Sequence, residues 1–328
     1  MRLTDILDSS RLPYGAMAIS KVILAKPRGF CAGVEMAVET VERALGKHGA
    51  PLYVFHEIVH NRHVVDEFKQ HGVTFVNSID EVPAGAKVIF SAHGVAPEIW
   101  ERAKRQGLQF VIDATCPLVE KVHREVRKFV AQGYWIILVG HRSHDEIVGT
   151  SGEAPDRTLV VGTVDEAATV NVPDPDKVVV LTQTTLSVDD TREIIEVLKR
   201  RFPRMITPAK EDICYATQNR QDAVKQLAGA VELVLVIGSR NSENSNQLVR
   251  VARSKHKPAY LIDDHRAIDP QWLVGIASVG ITSGASVPEE LVRETVEFFK
   301  REGAQVEQIG VVEENIHFAL PQESANPS

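Results

Sequence analysis

What most constrains this chain is a cysteine that recurs three times in one local setting. Cys31, Cys116 and Cys214 are the only cysteines in 328 residues, 85 and 98 positions apart. Each stands directly before a helical pattern: "AGVEMAVETVERALGKHG", "PLVEKVHREVRKFVAQG" and "YATQNRQDAVKQLAG". In each pattern apolar residues recur three and four apart and Gly closes the run. A short apolar, β-branched stretch follows every helix, "LYVFHEIVH", "YWIILVGH" and "VELVLVIGS", of the kind that forms a buried strand. A third strand follows in each unit, in "AKVIFSAHGV", "KVVVLTQTTLS" and "IASVGITSGAS". It passes through Ser or Thr into a long helix with acidic residues in its first turn.

Strands alternating with helices predict parallel α/β units, and 328 residues exceed what one compact core usually holds. The repeat therefore divides the chain into three small α/β domains with mainly parallel sheets, at 21–115, 116–205 and 206–320, with extensions at 1–20 and 321–328. The tail "PQESANPS" is polar and expected to fray. In parallel α/β sheets ligands bind beyond the carboxyl ends of the strands. If the three sets of strand ends face one centre, the three cysteines meet there as parts of one site.

Charge and composition narrow the partners. A net charge of −7 and a pI near 6.0 argue against a general nucleic-acid or membrane-surface binder, which needs a basic face. The first twenty residues contain no apolar stretch of signal-peptide length, and no run approaches the roughly 18 apolar residues of a membrane span, so a cytoplasmic location is expected. Three widely separated cysteines without a CxxC fit neither a disulfide framework nor a local zinc knuckle.

A lone cysteine at a strand-to-helix junction is more often a small buried hydrophobe than a ligand. Three at equivalent positions argue for a shared soft-metal site, and a helix N-terminus is expected to favour the thiolate that such a metal needs. Zinc with a fourth ligand or water, and an iron-sulfur cluster with one iron lacking a protein thiolate, both suit three cysteines. The residues alone leave that choice open.

The strand-end residues describe the other half of the site. His60 falls 29 residues after Cys31, His144 28 after Cys116 and Ser242 28 after Cys214. With His93, Asn244 and Ser286 they supply neutral donors near helix starts, which suits a phosphate or diphosphate. Ser286 has a plainer reading as the cap of a helix beginning near Val287. Glu146, two residues after His144, is the candidate acid, since a carboxylate beside an anion holds its proton to higher pH. Thr182, Gln183, Thr184 and Thr185 are its candidate partners, and His141 and Asp145 compete for the same role.

The motifs "KPRGFCAGVEMAV", "HEIVHNRHVV", "FSAHGV", "DATCPLV", "HDEIVGT", "TQTTLSVDDT", "DICYATQNRQ", "GSRNSENSNQL" and "GITSGASVPE" occur in order across nearly the whole chain. Together they strongly resemble the 4-hydroxy-3-methylbut-2-enyl diphosphate reductase family. The resemblance implies a three-domain α/β trefoil around one 4Fe-4S cluster held by Cys31, Cys116 and Cys214. It implies that His60, His93, His144, Ser242, Asn244 and Ser286 bind the diphosphate; Glu243, which departs from the family pattern, lacks the side-chain donor and is expected to serve through its backbone N–H. Glu146, Thr184 and His144 would be catalytic, with Gln183 near the substrate. The implied reaction, last in the methylerythritol phosphate route to isoprenoids, adds two electrons and two protons and removes the substrate hydroxyl, bound at the unique iron, as water. Isopentenyl and dimethylallyl diphosphates are the products, and a ferredoxin- or flavodoxin-type protein the electron donor. Neither nucleic acid nor membrane is an implied partner. The chain departs from the family pattern at Glu243, where Ser or Gly is common, at Asp145, where Pro is common, and in its first roughly 20 residues. A quinolinate synthase-type enzyme and a non-catalytic zinc module are the rival readings. The first needs a dicarboxylate pocket rich in Arg, which these loops lack, and the second would be colourless.

Overall fold

The computed structural model describes residues 19–207, 212–310 and 312–325, so most of the extension at 1–20 lies outside the described residues. The first third runs β1 (Lys21–Ala25), α1 (Ala32–His48), β2 (Leu52–Phe55), α2 (Arg62–Gln70), β3 (Val73–Val76), β4 (Lys87–Phe90), α3 (Pro97–Arg105) and β5 (Phe110–Asp113). The second runs α4 (Pro117–Ala131), β6 (Trp135–Val139), α5 (Asp145–Ser151), β7 (Thr158–Val161), α6 (Val164–Thr169), β8 (Val178–Thr182) and α7 (Val188–Arg201). The last runs α8 (Tyr215–Ala230), β9 (Leu233–Ile237), α9 (Glu243–Ser254), β10 (Ala259–Ile262), β11 (Ser278–Ser283), α10 (Glu289–Arg301), β12 (Gln305–Ile309) and β13 (Glu323–Ala325).

Local chemistry accounts for these elements. In α1 the buried Met36, Ala37, Thr40, Val41 and Ala44 recur at helical spacing, with Glu35 in the first turn and Lys47 and His48 in the last, matching the helix dipole at both ends. β8 and β9 are buried at every position, which is why they read as unbroken apolar runs rather than alternations. Each fully buried Val, Leu or Ile in them contributes about 1.5–3 kcal/mol of transfer free energy.

Three sheets result, and their strand orders repeat. One has β13-β5-β4-β2-β3, another β7-β6-β8, and the third β10-β9-β11-β1-β12. Ile206 adds a parallel bridge to Val179 on the free side of β8. The common order is thus β5-β4-β2-β3, the Ile206 segment-β8-β6-β7, and β1-β11-β9-β10. All pairings are parallel except that of β13 with β5.

The units trade their ends. β1, grouped with the first unit by the sequence, pairs with β11 and β12 of the third sheet, whereas α1 after it packs into the core around β2, β4 and β5. β5 belongs to that sheet, but α4 after it packs on β6 and β8. The Ile206 segment pairs with β8, and α8 packs on the third sheet. The sheets therefore divide at the cysteines, and each cysteine is the crossing point from one unit to the next. The tail also differs from expectation. Glu323–Ala325 pairs along the edge of β5, and the Glu323 carboxylate accepts from Lys47 Nζ at 2.9 Å and contacts His48 Nε2 at 2.8 Å. An unpaired strand edge beside two basic side chains gives a polar acidic segment a place to dock.

Candidate active site

Cys31, Cys116 and Cys214 are the N-cap residues of α1, α4 and α8, and none of their side chains makes a capping hydrogen bond. All three thiols line one cavity at the meeting of the units. Their backbones are fixed by one device used three times. Cys31 N–H donates to Ala285 O at 3.1 Å, Cys116 N–H to Ala92 O at 3.0 Å and Cys214 N–H to Thr184 O at 3.1 Å. Each acceptor lies two residues beyond a strand, β11, β4 or β8, so the strand-end loop of every unit holds the cysteine that leads into the next.

The turn before Cys31 is braced further. Gly29 sits at φ +73, a left-handed conformation that L side chains rarely adopt. Its N–H donates to Ser283 Oγ at 2.9 Å and its carbonyl accepts from the fully buried Arg220 at 2.8 Å. Gly33, the second residue of α1, leaves room for the Cys116 thiol, because a Cβ there would stand 2.5 Å from Cys116 Sγ. Thr217 Oγ1 lies 3.2 Å from Cys214 Sγ. At Cys116 and Cys214 the helix N-termini do not win the electrostatic contest the sequence suggests. Burial, then the Cys31 charge, pushes Cys116 up to about 12, and the same two causes push Cys214 up to about 11. Cys116 and Cys214 resist ionisation unless a cation joins them.

Beside the thiols, His60, His93 and His144 form a tight group. His60 and His93 stack at 4.1 Å between centroids with 22° between planes, and His144 stands edge-on to both. His144 caps α5, its Nδ1 accepting from Glu146 N–H at 3.1 Å. That bond leaves the proton of the neutral ring on Nε2 as a donor. Burial, then the neighbouring His60, lowers His144 to about 4 and holds His93 well below the usual histidine range. Both rings are thus neutral donors at pH 7.

Glu146 is buried in the same wall. Its Oε1 accepts from Thr184 N–H at 2.7 Å and its Oε2 from Thr184 Oγ1 at 2.8 Å. Burial outweighs these bonds and raises its pKa to about 7. Thr185 also lines the cavity. Gln183 does not: its Oε1 accepts from His141 N–H at 3.1 Å and its Nε2 donates to Thr185 Oγ1 at 3.0 Å. Beyond the end of β8 the chain turns, so Gln183 points its amide along the loop while Thr184 and Thr185 face the cavity.

The third unit closes the pocket. Ser242 caps α9, its Oγ accepting from Ser245 N–H. Asn244 Oδ1 accepts from Ala285 N–H at 2.8 Å. Ser286 is no helix cap, since α10 begins at Glu289 behind Pro288. Its hydroxyl donates to His60 O at 2.9 Å. The charge of Glu243 is balanced locally: Arg250 donates to it, Gln247 Nε2 donates at 3.0 Å and His141 Nε2 lies 3.1 Å away. His141 thus serves Glu243, and Asp145 faces His56 and His60 at 3.6 and 3.9 Å, leaving Glu146 as the carboxyl bonded to Thr184. Gly33, Thr217 and the carbonyls of Ala92, Thr184 and Ala285 escaped sequence reasoning. Of these only Gly33, a glycine inside a helical pattern, carried a visible signal.

The family model described as LytB protein matches residues 22–300. 4-Hydroxy-3-methylbut-2-enyl diphosphate reductase 2 of Mycobacterium tuberculosis is 56% identical over 309 residues, 94% of this chain and 92% of that protein. The corresponding reductase of Acidothermus cellulolyticus is 54% identical over 305 residues, covering 92% and 89%. The structure of the E-1-hydroxy-2-methyl-but-2-enyl-4-diphosphate reductase of Plasmodium falciparum superposes with a TM-score of 0.88 at 38% identity, covering 92% of this chain and 96% of that one.

Proposed function

Since this chain belongs to the LytB family of 4-hydroxy-3-methylbut-2-enyl diphosphate reductases, we propose that Cys31, Cys116 and Cys214 hold one 4Fe-4S cluster beside a diphosphate pocket. The activity is the reductive removal of the substrate hydroxyl, the terminal step of the non-mevalonate route. Two electrons and two protons enter, the C–O bond breaks, one proton leaves with the hydroxyl as water and the other ends on carbon. The observation that carries the reading is that three N-cap thiols, three histidines and a Thr184-bonded carboxyl line one cavity.

The donor set suits the cluster. No fourth cysteine exists, the buried Cys116 and Cys214 favour a cationic partner, and Gly33 leaves room where a Cβ would collide with Cys116 Sγ. When bound, the cluster supplies electrons and, at an iron without a thiolate, a Lewis acid for the leaving hydroxyl. Gly33→Ala should push Cys116 off its position. Its iron and sulfide content after anaerobic reconstitution should fall below half of wild type, and full content would show that the site relaxes around the methyl.

The chain's own residues do the rest. Neutral His93 and His144 offer N–H donors to the diphosphate, with Ser242, Asn244 and Ser286 on the facing wall and the Glu243 backbone N–H at the start of α9. Glu146 and Thr184 keep a proton within the cavity. The Thr184 hydroxyl both accepts and donates, so the pair stays bonded in either protonation state of Glu146. We assign electron delivery to a ferredoxin- or flavodoxin-type donor and the work to the cytoplasm. Among the described residues no helix is long and apolar enough to cross a membrane.

Two tests separate chemistry from capture. Anaerobic turnover of 4-hydroxy-3-methylbut-2-enyl diphosphate with a strong artificial reductant should yield the two isoprenyl diphosphates, and no product from iron-loaded protein would refute the reading. Asn244→Ala and Ser286→Ala should each weaken inorganic diphosphate by about 1–3 kcal/mol with the cluster retained. Unchanged calorimetric affinity in both variants removes them from the pocket.

A further inference from the structure

Of the three cysteine turns, that of Cys31 is tied to the carboxyl-terminal segment. Beyond β12 the chain leaves the third sheet, and residues 312–322 carry it back to the first, where β13 pairs with β5. On the way Glu313 accepts from Lys26 Nζ at 3.1 Å, and Leu320, Pro321 and Gln322 share a crevice with Thr40 and Arg43 of α1. At the far end Glu323 meets Lys47 and His48 in the last turn of α1. At the near end Glu314 reaches the other end of the same helix through Arg220.

Arg220 is fully buried in α8. Its Nη1 donates to both carboxylate oxygens of Glu314 at 3.1 Å and to Ala216 O at 3.0 Å, and its Nη2 donates to Gly29 O at 2.8 Å. Asn219 Nδ2 steadies the carboxylate, donating to Glu314 Oε1 at 3.0 Å. Among the described residues Glu314 is the one ion-pair partner of Arg220, whose Nε is buried without a hydrogen bond. A buried guanidinium stripped of its carboxylate is left as an uncompensated charge and must be drawn toward water. Gly29 would then lose the donor to its carbonyl, two residues before the Cys31 thiol. The approaches to the other cysteines are held within their own surroundings. Ala114 N–H donates to Phe90 O at 3.0 Å, and Asp212 accepts from Thr182 N–H at 3.0 Å and from Lys121 Nζ at 2.8 Å.

Resting on the cluster reading above, we infer that Glu314 is a positioning residue for Cys31: through Arg220 it fixes the Gly29 carbonyl, so the tail segment holds the first thiol, and not the other two, in its ligating place. The test exposes anaerobic, iron-loaded protein to an iron chelator and iodoacetamide together and follows the alkylation of each thiol by mass spectrometry. In Glu314→Gln, Cys31 should be alkylated about tenfold faster than in wild type, the worth of one hydrogen bond to a charged group, and ahead of Cys116 and Cys214. Arg220→Lys should do the same, since one ammonium cannot span Glu314 and Gly29 O as the guanidinium fork does. Glu314→Asp keeps the charge and should stay nearer wild type. An acceleration shared equally by the three thiols, an unchanged Cys31 in both Glu314→Gln and Arg220→Lys, or a Glu314→Gln chain that does not fold would each overturn the inference. A wild type that takes up no iron and sulfide would instead remove the cluster reading, whereas normal loading with Cys31 unmoved in the variants removes the positioning role alone.

Discussion

Glu146→Gln should lower turnover by about 10² to 10⁴, the usual worth of a positioned general acid, while leaving cluster content and diphosphate affinity near wild type. The amide keeps the shape of the carboxyl. Its oxygen can still accept from Thr184 N–H and its nitrogen can donate to Thr184 Oγ1, so both contacts made by the carboxylate survive. What is lost is the proton. Because burial raises Glu146 to about 7, the carboxyl keeps its proton to higher pH than an exposed one and loses it as pH rises through that range. Wild-type turnover with a strong artificial reductant should therefore decline on the alkaline side of pH 7. The Gln variant should lack that limb. A variant that keeps more than about half the wild-type rate, far above the expected range, would return the acid role to His144 or to a water held by Thr184.

Replacing Cys31, Cys116 or Cys214 singly by Ser should abolish both normal iron-sulfur content and activity. The hydroxyl is a far poorer ligand for soft metal than the thiolate, and the chain holds no spare cysteine. The N–H bonds from the three positions to Ala285, Ala92 and Thr184 carbonyls are main-chain contacts and should persist, so the variants should fold. Iron and sulfide per chain after anaerobic reconstitution, with the visible spectrum, measure the outcome. Wild-type iron and turnover in any one variant would remove that cysteine from the ligand set.

Much of this site is legible before any coordinates are known, for a physical reason: a period of cysteine, helix, strand and polar loop can be read directly along the chain. His60, His144 and Ser242 fall at matching distances from their cysteines because the elements between them have matching lengths. The partners of strands are not so encoded. "KVILA" looks like the opening strand of the first unit, and nothing in a lysine and four apolar residues tells which sheet will accept it. Main-chain acceptors have no residue signature, so the carbonyls of Ala92, Thr184 and Ala285 went unread. Gln183 is next to Thr184 in sequence, yet its amide is spent on His141 N–H and Thr185 Oγ1, a turn that no residue pattern announces. A helix start, which favours a thiolate, is visible in sequence, whereas the burial that pushes Cys116 and Cys214 up is not.

The relay in which each unit's loop grips the next unit's cysteine has a consequence for melting. Every thiol stands at a seam between two units, so whatever ties the thiols together also rivets all three seams, and no unit can loosen without disturbing the other two. Ligand that binds only the folded form adds its binding free energy to stability. Stripping the cluster should therefore do more than lower the melting temperature: it should broaden the transition, as one collective event gives way to three sheets that come apart with partial independence.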